Sequence, residues 1–172
     1  MQNALISANP LSVMTAVNFS ESKISANPSE MLVAFSIGSG IGVSMYDAVT
    51  GVGALLNFVL PDSSTILPER AKRFPCMFAD TGMRAVLDAL NDIGVKAETM
   101  KVVIAGGAQV LDQTSGFNIG LKNHQAITSI LSRKNLIIHH EDIGGSSRRT
   151  LSLDISSGCS TIQTGGQGEA NV

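Results

Sequence analysis

The sequence predicts a single α+β domain, a strand-rich sheet or pair of sheets packed with two main helices. Three observations carry that reading: two segments with apolar residues at helical spacing, several short runs rich in Val, Ile and Leu, and a chain order of strands, helix, strand, helix, strands. The 172 residues are 44% hydrophobic and 15% charged, which suffices for one core at a length where one domain is the rule. Seventeen glycines and many serines suit the tight turns of such a fold.

The first thirty residues are broken by NPLS, NFSES and SANPSE and are expected to be extended or irregular, with residues 1–19 outside the domain. Residues 31–35 and 41–45 are aliphatic, β-branched runs separated by Gly38, Ser39 and Gly40, which reads as a bend or bulge between strands. Residues 46–51 then form a turn and 52–60 a buried strand, a hairpin ended by Pro61. Residues 62–75 hold Pro68 and Pro75 and are expected to be a surface loop.

After that loop the period changes. Met83, Val86, Leu87, Leu90 and Ile93 define an amphipathic helix that Gly94 stops. Residues 101–105 (KVVIA) form a short buried strand closed by Gly106 and Gly107. A second helix starts near Asn118, with Ile119, Leu121, Ile127, Ile130 and Leu131 approximating one face. Residues 136–139 make a further strand, 142–147 a glycine-rich turn, and 150–155 with 161–163 a closing hairpin. Residues 164–172 are expected to be a flexible tail, which leaves 20–163 as the domain.

Lys+Arg 12 against Asp+Glu 14 leaves a net charge of -2 with no block of five like charges, which argues against a general nucleic-acid binder and a polybasic membrane-surface helix. Cys76 and Cys159 are too few and too far apart for a disulfide framework or a zinc spacing. The start carries no Lys or Arg before Lys23 and no long apolar region, and the longest apolar stretch, 52–60, is far shorter than a membrane span. The chain is therefore expected to be soluble and cytoplasmic, and no cofactor is expected.

Individual motifs say little about chemistry. Gly38–Gly42 invites a phosphate-loop reading, but no Lys-Ser/Thr pair follows and the next element is a strand, so a bend is the simpler account. Gly106-Gly107 and Gly144-Gly145 read as turns. His139, His140, Glu141 and Asp142 look like metal ligands, yet neighbours in a strand point to opposite faces, so only alternate members could share an ion. His124 is expected to face solvent, Cys76 has no basic partner nearby in sequence, and Arg148-Arg149 either recognises a carboxylate or faces water.

Taken as whole segments, the chain resembles the CheD family of chemotaxis proteins. The family's Thr-Leu-Gly-x-Gly-Ser-Cys-Val-x-x-x-Leu/Met-x-Asp strand-bend-strand is similar to the stretch from Ala34 to Asp47, AFSIGSGIGVSMYD. Its His-x-Met-Leu-Pro-Asp/Asn-Ser block is similar to Asn57-Phe58-Val59-Leu60-Pro61-Asp62-Ser63, and its Tyr-Ala-Asp to Phe78-Ala79-Asp80. The Lys-x-x-Gly-Gly-Ala strand end resembles the stretch from Lys101 to Ala108. Asn-Ile-Gly-x-x-Asn stands intact from Asn118 to Asn123, as does Asp-x-Gly-Gly…Arg from Asp142 to Arg148 or Arg149. The leader from Glu21 to Pro28 is similar too, so the likeness runs over roughly residues 20–163 in several ordered motifs.

The resemblance implies protein-glutamine deamidation of chemoreceptors. In that chemistry a Cys thiolate attacks a glutamine amide, a His moves the proton, and a Thr orients the His. Carried over position by position, the nucleophile falls at Gly40, the base at Asn57 and the orienting hydroxyl at Ala34, and none of the three groups is present. The other cysteine and histidine side chains fall elsewhere in this alignment. The expectation is a CheD-like protein without deamidase activity that binds a protein partner, a CheC-type phosphatase or a chemoreceptor cytoplasmic domain. Its binding residues are expected to be Ser39, Phe58, Pro61, Asp62, Gly106 and Gly107. The alternatives are a deamidase using a non-standard nucleophile such as Ser39, and a small-molecule or anion binder.

Overall fold

The computed structural model describes residues 13–109, 118–165 and 169–172. In chain order the strands are β1 (Val13–Ala16), β2 (Glu21–Ser25), β3 (Glu30–Ile37), β4 (Ile41–Asp47), β5 (Val52–Phe58), β6 (Met100–Gly106), β7 (Ile138–Ile143), β8 (Arg149–Asp154), β9 (Ser160–Thr164) and β10 (Glu169–Asn171). The helices are α1 (Pro68–Arg73), α2 (Ala79–Asp92) and α3 (Ile119–Arg133).

Period-2 alternation sorts these residues into three layers. One sheet has the order β1-β3-β8-β9-β10 and the other β2-β5-β4-β6-β7. Between them lie Leu32, Ala34 and Ile37 of β3, Leu151 and Leu153 of β8, and Leu55, Val103 and Ala105 of the second sheet. The opposite face of the second sheet, with Val43, Met45, Leu56, Phe58, Val102 and Ile104, packs on Met83, Val86 and Leu90 of α2 and on Ile127 and Leu131 of α3. Covered on both sides, β5 is buried at every residue. One polar pair, Ser44 Oγ and Ser160 Oγ at 2.7 Å, crosses the layer between the sheets, each hydroxyl giving the other a partner away from water.

The β4–β5 hairpin forms as expected, closed by Gly51 N–H on the Asp47 carbonyl at 2.8 Å. Asp47 also accepts from the backbone N–H groups of Val49 and Thr50, which caps the turn. The amphipathic helix forms as α2, ended by Gly94 in the left-handed region (φ 83) with Val95 N–H bonded back to the Leu90 carbonyl at 3.0 Å. Ile93, expected on its apolar face, is 56% exposed because it caps the helix.

Several expectations are corrected. The opening segment is not irregular throughout: β1 pairs parallel with β3, and β2 pairs antiparallel with β5. Both are edge strands with mostly exposed residues, so neither needed the apolar alternation that announces a strand. Within the stretch expected to be a loop, Pro68 opens α1, since its fixed φ and missing N–H suit a first helical residue. Part of the expected tail, β10, pairs with β9. On α3 the buried face runs through Gly120, Asn123, Ile127 and Leu131, leaving Leu121 half exposed.

Arg149 is buried rather than wetted, because it gathers the glycine-rich turn. Its guanidinium donates to the carbonyls of Gly144 and Ser147 and to Asp142 Oδ1 at 2.7 Å, while Thr164 donates to Asp142 Oδ2 at 2.8 Å. The Arg149 hydrogen bond, joined by that of Thr164 and the guanidinium charge, outweighs burial and holds the Asp142 carboxyl below its ordinary pKa. A carboxyl with a depressed folded pKa stabilises above its unfolded pKa and loses that contribution as pH falls through the folded one. The denaturant midpoint gap between the parent and Asp142→Asn is therefore predicted to be widest near neutral pH and to shrink as pH drops below about 4. A gap independent of pH contradicts this.

Candidate functional site

Apart from Ala34, which lies within β3 opposite Leu151, the residues singled out by the resemblance fall where β3 ends, β4 begins, and β5 and β6 finish or just beyond. Antiparallel pairing sets Ile41 opposite both Phe58 and Gly106, so the Gly38–Gly40 bend lies against the ends of two neighbouring strands. Gly107 N–H donates to the Gly40 carbonyl at 2.7 Å, and Ala108 N–H to the Gly38 carbonyl at 2.8 Å. Gly106 has to be glycine here. Its φ is 125, and a Cβ on it would stand 2.3 Å from the Gly40 oxygen.

Position 40 is closed in the same way. A Cβ built on Gly40 would lie 2.6 Å from the Phe58 carbonyl oxygen and 3.5 Å from the Val59 Cα. The first is a backbone atom at the end of β5, so no rotamer relieves that contact, whereas the second distance is an ordinary one. A side chain at residue 40 would therefore force the Phe58 backbone or the Gly38–Gly40 bend to shift.

Asn57 and Ala34 face the layer between the sheets. Asn57 is 1% exposed, and its Nδ2 donates to the Val17 carbonyl at 3.2 Å, while its Oδ1 has no partner among the described residues. A carboxamide fixed in this way is a structural tie, since it has no basic nitrogen to take a proton near neutral pH. Ala34 is fully buried beside a register shift in the β3–β8 ladder that spans Ala34 to Ile37. In that shift Ser36 adopts φ 56, a left-handed backbone, at the place where the resembling family motif has glycine.

Sequence reasoning missed two contributors. Val17, inside the stretch expected to lie outside the domain, is 2% exposed and supplies the carbonyl that Asn57 holds. Asn123, named only within a matching motif and given no role, is fully buried; its Nδ2 donates to the Ser39 carbonyl at 2.8 Å and to the Val59 carbonyl at 3.0 Å. It thereby ties the residue before Gly40 to the residue after Phe58. The signal for Asn123 was the intact Asn-Ile-Gly-x-x-Asn segment. Its glycine, Gly120, would place a Cβ 2.1 Å from the Gly107 oxygen, which lets the first turn of α3 sit on the β6 end.

The remaining residues divide by burial. Ser39 and Asp62 are exposed and Pro61 is half exposed, whereas the Phe58 side chain is 0% exposed in the core under α2. Asp62 accepts from Ser64 N–H at 2.6 Å, a hydrogen bond that holds its carboxyl below the ordinary range, and Asp80 at the start of α2 accepts from Ser63 Oγ at 2.6 Å. The loop carrying Pro61 and Asp62 is thus pinned to α2. Gly106 is buried; Gly107 borders a cavity of about 340 Å³ shared with Asn118, His124 and Gly144.

Other chemical side chains lie apart. His124 Nε2 pairs with Glu141 Oε2 at 3.0 Å, and His139 Nδ1 accepts from Val102 N–H at 3.2 Å at a register shift between β6 and β7. Among the described residues no group of three or more His, Cys, Asp or Glu gathers as metal ligands. Cys76 donates to Ser22 Oγ at 3.3 Å. Cys159 borders a second cavity, of about 430 Å³, with Tyr46 and Lys101 at the far end of β4 from Gly40. Along a strand that separation is about 20 Å. No helix among the described residues is long and apolar enough to cross a membrane.

Comparison with known proteins gives the same family. The family model for CheD chemotactic sensory transduction matches residues 59–164, a segment that begins just beyond Asn57. A protein of Syntrophus aciditrophicus named "Probable chemoreceptor glutamine deamidase CheD 1" is 38% identical over 150 residues, 87% of this chain and 93% of the relative. Relatives carrying the same name without a number are 37% identical over 160 residues in Symbiobacterium thermophilum, covering 91% and 95% of the two chains, and 32% identical over 143 residues in Haloarcula marismortui, covering 83% and 80%.

The closed geometry at residue 40 predicts that Gly40→Ala lowers stability by about 1–3 kcal/mol, as forced overpacking does in well-packed interiors. Chemical denaturation of the parent and the variant measures it. An unchanged midpoint would mean that the bend has space for a side chain.

Proposed function

The chain belongs to the CheD family, and we propose that within it this protein binds a signalling partner without carrying out glutamine deamidation. The observation that supports the loss of chemistry most directly is position 40, where a side chain would meet the Phe58 carbonyl oxygen at 2.6 Å. Thioester formation on a glutamine amide needs a nucleophilic sulfur, a base to carry its proton to the departing ammonia, and a group to orient that base. Gly40, Asn57 and Ala34 supply none of these.

Ser39 does not stand in. A serine hydroxyl depends on an adjacent general base, and among the described residues none accepts a hydrogen bond from it. Asn57, in the place of the base, is committed through its amide to Val17.

Retention of the scaffold supports the binding role. Asn123, Gly106, Gly107 and Gly120 still knit the strand ends together around the closed site, and the exposed rim of Ser39, Pro61 and Asp62 remains presented beside it. A partner that docks over this rim needs shape and polar contacts from it and no reaction. The candidates are the cytoplasmic domain of a chemoreceptor and a CheC-type phosphatase.

Direct capture of purified receptor cytoplasmic fragments and of a CheC-type phosphatase by the full chain tests this. Retention of at least one is expected, weakened in a Ser39→Arg variant, whose side chain is exposed on the rim. Capture of neither overturns the proposal.

A further inference from the structure

We propose that α1 and its flanks form a docking surface for an acidic, amphipathic protein helix; this rests on the binding role above and names the chemistry of the segment bound. The chain as a whole is slightly acidic, yet three of its 12 basic residues, Arg70, Lys72 and Arg73, fall within four positions of α1. Glu69 is the only acid on the helix. All three cations are exposed, and among the described residues none forms an ion pair with a carboxylate. The Arg73 guanidinium instead stands 5.4 Å over the Phe74 ring.

Two large apolar side chains flank this charge. Leu67, preceding the helix, is 77% exposed, and Phe74, following it, is 45% exposed. They are seven positions apart across one short helix, a span of about 10 Å, which matches the distance between residues two turns apart on a partner helix. Ala71 is buried beneath, so the element is anchored to the body of the protein while its outer face stays unpartnered.

The surface also adjoins the closed site. The short 3-10 turn at Pro75–Met77 follows α1 directly, and the Met77 carbonyl accepts from the backbone N–H groups of Val59 and Leu60 at 3.1 and 3.0 Å. Val59 follows Phe58, whose carbonyl crowds position 40, and its own Cα lies 3.5 Å from where a Gly40 Cβ would stand. A helix lying over α1 would therefore continue towards Pro61 and Asp62. Three cations fall short of the cluster of about four to eight that marks a polybasic lipid-binding segment, and the net charge of -2 opposes a nucleic-acid surface. Apolar anchors ringed by unpaired cations favour a helix with an apolar stripe and acidic flanks.

Fluorescence anisotropy with the full chain tests the surface, using as probes a Glu-rich amphipathic helical peptide, its Lys-rich counterpart with the same apolar face, an oligo-dT strand and phosphatidylserine vesicles. The Glu-rich peptide should bind best, and more weakly as salt is raised. Arg70→Glu/Lys72→Glu/Arg73→Glu should weaken it about tenfold or more and turn the preference towards the Lys-rich peptide. Leu67→Ser should weaken both peptides without changing the salt dependence. Circular dichroism and a melting curve matching the parent establish that each variant is folded; should the triple variant fail this, Arg73→Glu alone takes its place. Equal binding of the two peptides, indifference to charge reversal, or tighter binding of the oligonucleotide or vesicles overturns the proposal. If the parent captures a receptor fragment or a CheC-type phosphatase and the charge-reversed variant captures it equally well, this surface is wrong while the binding role stands.

Discussion

The close approach of three backbone segments at Gly40 is the constraint on which the rest of the site depends. The Gly40 carbonyl receives the Gly107 amide, Gly106 passes with no space for a Cβ, and the Phe58 carbonyl stands where a Gly40 side chain would begin. Asn123 closes the arrangement by holding the carbonyls of Ser39 and Val59 with one amide. Each of these contacts involves backbone, so the geometry is set by strand register and glycine placement rather than by adaptable side chains.

That constraint separates scaffold from chemistry. The glycine and asparagine motifs of the CheD family serve the crossing of strand ends, and they persist here. The three positions to which the resemblance assigns proton transfer and nucleophilic attack are occupied by groups that pack: Ala34 in the layer between sheets, Gly40 under the Phe58 carbonyl, and Asn57 on Val17. Under the proposed binding role, the exposed rim and the basic α1 surface are the parts of the molecule that would meet a partner.

Legibility in the sequence followed the source of each element's stability. The central strands and α2 were legible because burial imposes period 2 or period 3.6 on their apolar residues, as in Met83, Val86 and Leu90. β1, β2 and β10 were not, because edge strands are held by ladder hydrogen bonds to neighbours far away in sequence and carry little apolar signal. α1 was hidden by its own proline, which marks a helix start as readily as a break. Within the site, the sequence itself places Ala34, Gly40 and Asn57 at the positions where the resemblance expects Thr, Cys and His. The closure of position 40, the tie to Val17 and the two carbonyls held by Asn123 are non-local contacts between residues up to 84 positions apart, which no local pattern encodes.

The central claim, a CheD scaffold without deamidase chemistry, is tested most directly by mass spectrometry of chemoreceptor cytoplasmic fragments after long incubation with the full chain. Hydrolysis of a glutamine amide releases ammonia and adds about one dalton to the fragment. The account predicts receptor glutamines of unchanged mass at every concentration of the chain. A one-dalton gain, at about unit stoichiometry on a mapped receptor glutamine and scaling with the amount of chain added, would contradict it.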